Sequence, residues 1–83
     1  MTITVRYFAS LREALGASET LTWAPDFSVG ALRDQLLARG EPYASALART
    51  RAVRCALDKQ LSREEALVPD GAEVAFFPPV TGG

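Results

Sequence analysis

Over the first eight residues apolar and polar side chains alternate. Ile3, Val5 and Tyr7 fall on one face; Thr4, Arg6 and Phe8 fall on the other. A period of two marks a strand with one strongly apolar face and predicts one over Thr2 to Phe8. Ser10-Leu11-Arg12-Glu13 then fits the S-x-x-E capping box, with Gly16 closing a short helical turn. Ser18 to Trp23 reads as a second strand, Leu21 and Trp23 sharing a face and Pro25 ending it. The period changes at Ser28, the expected N-cap of a main helix reaching about Arg39. Val29, Leu32 and Leu36 recur at helical spacing, Leu37 widens the stripe, and Gly40 sits at the stop. Pro42, at a first helical position, opens a shorter helical segment with Tyr43, Ala46 and Leu47. Ala52 to Leu57 is a third strand with Val53, Cys55 and Leu57 on one face. Asp58-Lys59 is a turn into a brief strand at Gln60-Leu61. Ser62 to Glu65 offers a second capping box and one helical turn. Pro69-Asp70-Gly71 is a turn, and Glu73 to Phe77 is the last strand.

Strand, strand, helix, strand, short strand, strand describes an α+β roll: a mixed sheet of about five strands with one main helix across one face. The short early connection favours a hairpin, and the long crossover favours a parallel pair. This is the pattern of a β-grasp, or ubiquitin-like, fold, expected over residues 1–77, with an extended tail at 78–83. Alternation also assigns the far side of the sheet. If Tyr7 and Phe76 face the helix, Phe8 and Phe77 lie opposite. Leu61 has no place in the helical core. The three together form a candidate apolar docking patch at the base of the tail.

Composition narrows the chemistry. With 83 residues, 48% of them hydrophobic, the chain makes one small domain with a marginal core. Nine basic and ten acidic side chains give a net charge of −1 with no basic stripe. Neither nucleic acid nor an anionic membrane surface is an expected partner. One cysteine and no histidine exclude a disulfide framework and argue against a zinc-type site. Cys55, in an interior strand, reads as a structural thiol, and Glu64-Glu65 as a solvated turn. No apolar run is long enough to span a bilayer, so the expected setting is the reducing cytoplasm. Without histidine no nucleophile–base–orienter set can be assembled, so the chain is not expected to be catalytic alone.

The remaining candidate is the end of the sequence. Phe76-Phe77 feeds Pro78-Pro79, then Val80, Thr81, Gly82 and Gly83. Proline holds the backbone extended, so six residues reach about 19 Å from Phe77 at about 3.1 Å each. Glycine without Cβ makes the thinnest thread available. A stiff stalk ending in a thin thread and a terminal carboxylate suits insertion into a narrow channel of another protein.

Asp70 to Gly83 resembles the C-terminal signature of the small, sulfur-carrying subunit of molybdopterin synthase. Val5 to Glu13 resembles that family's first strand and turn, and length and element order agree throughout. The resemblance implies that a ubiquitin-activating-type enzyme uses ATP to adenylate Gly83, and that a sulfur donor protein then converts it to a thiocarboxylate. The tail would enter the large synthase subunit and donate sulfur to cyclic pyranopterin monophosphate, giving molybdopterin. The chain would bind no cofactor or metal itself and would act as the sulfur-donating part of a sulfurtransferase complex. Gly83 would carry the reactive atom, Gly82 give clearance, and Pro78, Pro79, Val80 and Thr81 form the threaded stalk. Phe8, Leu61 and Phe77 match the family's apolar contact positions. Where family members often carry asparagine, this chain has Asp58, which can accept but not donate. Other sulfur carriers, for thiamine or tRNA thiolation, share the diglycine, as do protein modifiers that form isopeptide bonds.

Overall fold

The computed structural model describes residues 1–79. Strands β1 (Thr2–Tyr7), β2 (Ser18–Thr22), β3 (Arg54–Leu57), β4 (Gln60–Ser62) and β5 (Glu73–Phe77) form one sheet ordered β2-β1-β5-β3-β4. The first and last strands are the parallel central pair, Val5 opposite Val74 and Tyr7 opposite Phe76. All other pairings are antiparallel. Helices α1 (Ser10–Leu15), α2 (Val29–Leu37) and α3 (Tyr43–Ala46) complete the fold.

The alternation in β1 and β5 buries Ile3, Val5, Tyr7, Val74 and Phe76 against Val29, Leu32 and Leu36 of α2. Tyr7 and Phe76 stack with ring centroids 6.4 Å apart. Fully buried leucines such as Leu32 and Leu36 each contribute about 2 kcal/mol of transfer free energy. Ser28 caps α2 as its position predicts, its hydroxyl accepting from the Ala31 N–H at 3.0 Å. That helix ends at Leu37, two residues before the expected stop, because the Arg39 and Gly40 N–H groups bond to carbonyls only three residues back.

Neither capping box forms. The N-cap of α1 is Ala9, at φ 55° and without a side-chain cap, so Ser10 is already helical. Ser62 belongs to β4, and residues 63–66 make a single turn closed by Ala66 N–H to the Arg63 carbonyl. In both cases strand pairing of the preceding residues sets where the chain turns. Pro42 is the N-cap of α3 rather than its first residue, and β3 begins at Arg54 rather than Ala52. Asp58 and Lys59 both have positive φ, 49° and 70°, the twist of a two-residue hairpin turn. The Asp58 carboxylate accepts from the Glu73 N–H at 2.9 Å. That contact needs an acceptor only, so aspartate serves there without asparagine's donor.

Candidate functional site on the uncovered face

The face of the sheet turned away from α2 carries the predicted patch. Phe8 follows Tyr7 in register beyond β1, its N–H donating to the Phe76 carbonyl at 3.1 Å, and its side chain is 40% exposed. Phe77 ends β5 opposite Arg54 and is half-buried. Ala75, between Arg6 and Ala56 in register, forms a buried floor although it faces away from the helix. Leu61 pairs with Ala56 and is 69% exposed. It therefore shares the face with Phe77 but lies two strands away, about 10 Å at the usual strand spacing. The patch is an L-shaped surface: Phe8 and Phe77 at the tail end, Ala75 and Ala56 as floor, Leu61 on the edge strand.

Pro78 and Pro79 leave this surface half-buried directly after Phe77. Val80, Thr81, Gly82 and Gly83, the predicted thread and reactive end, lie outside the described residues.

Charge on this face is arginine-rich. The Arg6 guanidinium lies 5.5 Å from the Phe8 ring centroid and 3.7 Å from the Glu73 carboxylate. Arg54 and Arg63 are exposed. The other side of the molecule is different. Arg33, only 3% exposed, donates to the Leu47 and Ala48 carbonyls and to Glu64 at 2.7 Å. Arg49 bonds to both Glu64 and Asp34. Arg39 bonds to Glu19 at 2.7 Å, and Tyr7 donates to the same carboxylate at 2.8 Å. Partial burial alone would raise the Glu19 and Glu64 carboxyls. Hydrogen bonds from Arg39, Tyr7 and Tyr43, and from Arg49 and Arg33, hold them below the ordinary carboxylate range instead.

Sequence reading missed the Arg33–Glu64 pair. Glu64 is no solvated turn residue, and Arg33 is no surface charge. The one signal for it is helical position: Arg33 falls inside the apolar stripe, between Val29 and Leu37. Gly30 serves the same junction, its N–H donating to the Glu64 carbonyl at 2.8 Å, where a Cβ would stand 3.3 Å from that oxygen.

The body offers little chemistry of its own. Burial, then the charge of Glu64, push the Cys55 thiol up, and its Sγ lies 3.3 Å from the Ser62 carbonyl. Among the described residues no cluster of His, Cys, Asp or Glu could hold a metal ion. No helix among them is long and apolar enough to cross a membrane.

A mixed sheet with first and last strands paired at its centre, and one main helix across one face, defines a ubiquitin-like β-grasp protein. Comparison with known proteins narrows the class. The chain belongs to the ThiS family, which it matches over residues 5–83. It is 40% identical over 81 residues to the molybdopterin synthase sulfur carrier subunit of Escherichia coli, covering 98% of this chain and 99% of that one. The Haemophilus influenzae protein of the same name is 37% identical over 82 residues, with 98% and 99% covered. Among solved structures, the Haloferax volcanii HVO 2177 protein superposes with a TM-score of 0.79 at 26% identity, covering all of this chain and 87% of that one. A chain of the Helicobacter pylori complex of subunits 1 and 2 of molybdopterin-converting factor gives 0.66 at 22% identity, with both chains fully covered. At that identity the likeness is one of fold.

Proposed function

We propose that this chain is the sulfur-carrier subunit of a molybdopterin synthase. The observation that carries the reading is end-to-end similarity, at 40% identity, to a protein of that name. The diglycine end and the apolar, arginine-bearing face at the tail's base support it. In this reading residues 1–77 are a handle and 78–83 the working arm.

A carboxylate is a poor electrophile. An adenylating enzyme of the ubiquitin-activating type joins the Gly83 carboxylate to AMP from ATP, releasing pyrophosphate. Persulfide sulfur from a donor protein attacks the acyl carbon and AMP leaves; reduction of the acyl disulfide by a thiol frees the thiocarboxylate. That sulfur is ionised near neutral pH and nucleophilic without a neighbouring base. In this reading Pro78 to Thr81 serve as the threaded stalk, Gly82 gives clearance, and Phe8, Phe77 and Leu61 seat the body on the large subunit. The large subunit supplies the pocket in which cyclic pyranopterin monophosphate accepts sulfur, and molybdopterin is the product.

Intact-mass spectrometry tests the reading. Incubation with the adenylating enzyme, ATP and a sulfur source should exchange one terminal oxygen for sulfur, and deleting Gly83 should abolish the exchange without lowering the melting temperature. Covalent ladders on other proteins would indicate a modifier instead. An unchanged mass would refute the carrier role.

A further inference from the structure

Arg54, Leu61, Ser62, Arg63, Glu65 and Ala66 line an open groove along the edge-strand end of the uncovered face. Leu61 is the most exposed apolar side chain of the sheet, and the exposed Arg54 and Arg63 line the groove with it. Arg33, Arg39 and Arg49 on the helix side each hold a carboxylate within 2.7 Å. Among the described residues Arg54 and Arg63 have no ion pair, although Glu65 borders the same groove.

In water an exposed guanidinium is well solvated and needs no partner. The situation changes when another protein covers Leu61, because the same contact strips water from Arg54 and Arg63. Desolvating a guanidinium without an acceptor costs several kcal/mol, more than burying one leucine returns. A basic or purely apolar surface is therefore disfavoured, and one with carboxylates opposite the two arginines is favoured. We infer that the Arg54–Leu61–Arg63 groove is a charge-selective docking site for an acidic, leucine-accepting surface on the protein that receives the tail. The inference rests on the proposed function, which supplies that protein: the large synthase subunit. It goes further in assigning selectivity to two arginines outside the apolar contacts.

The test is calorimetric titration of the unaltered large subunit from the same organism with four carriers: unaltered, Arg54→Glu/Arg63→Glu, Arg54→Gln/Arg63→Gln, and Phe77→Ala. Each is measured at about 50 mM and about 500 mM NaCl, where screening is weak and strong. The double reversal should weaken binding about tenfold or more at low salt, the neutral pair less, and the gap should narrow at high salt. Both arginine pairs are exposed and should melt like the unaltered chain. If both bind as tightly as the unaltered chain while Phe77→Ala binds weakly, charge selection is refuted and the docking face stands. A gap that persists undiminished at high salt also refutes it. If the unaltered carrier does not bind the large subunit, the functional reading beneath has failed and the inference falls with it.

Discussion

Two regions of the molecule, the helix side and the edge-strand end of the uncovered face, use arginine in opposite ways. On the helix side, arginines are structural: Arg33 is buried and ties α2 to the chain around Leu47 and Ala48 and to Glu64, while Arg39 and Tyr7 converge on Glu19. On the other side, Arg54 and Arg63 stand in solvent beside exposed Leu61, with no ion pair among the described residues. A chain with nearly balanced charge has thus placed its shared carboxylates where they close the fold, and left guanidinium beside the surface that a partner would cover. The contrast separates charge that makes the domain from charge that the domain can offer.

The sharpest way to break this contrast is Arg33→Met. It removes the donor to the buried Leu47 carbonyl, one of two donors to the Ala48 carbonyl, and one of the two arginines on Glu64. Loss of about 3 kcal/mol in chemical denaturation is expected. If Arg33→Met unfolds no more easily than Arg54→Gln, the two regions are not different in kind. A smaller effect lies in pH. Glu19 and Glu64 have folded-state pKa values depressed below the ordinary value of 4.5, so their stabilisation is complete above that value in the unfolded chain. It is lost as pH falls through the lower, folded values. Glu19→Gln should therefore lower the melting temperature at neutral pH and flatten its decline in acid, and an acid limb as steep as that of the unaltered chain would refute this. The smallest effect is expected at Asp58→Asn, which keeps the acceptor for the Glu73 N–H and tolerates positive φ. A change within about 0.5 kcal/mol by denaturant titration is expected. Asp58→Ala, which removes that acceptor, should cost more.

Much of this was readable along the chain because it is local. Alternation in Thr2 to Phe8 and Glu73 to Phe77 needs only period two, and it correctly separated Tyr7 and Phe76 from Phe8 and Phe77. The stripe Val29, Leu32, Leu36 and the Ser28 cap need one helical turn of context. The capping boxes at Ser10 and Ser62 failed because a four-residue motif cannot see that its first residue is already helical, or paired in a strand. Leu61 was assigned to the correct face, but its distance from Phe77 depends on how many strands intervene, which no local pattern records.

Sequence alone determined the strands and the main helix, since each follows from residue type and short-range spacing. Tertiary structure alone decided that Arg33 meets Glu64 across 31 residues, that Glu19 gathers Arg39, Tyr7 and Tyr43, and that Arg54 and Arg63 share a groove with Leu61. Ion pairs and surface patches depend on which distant segments are brought together and which are left uncovered. That choice belongs to the packing of the whole chain.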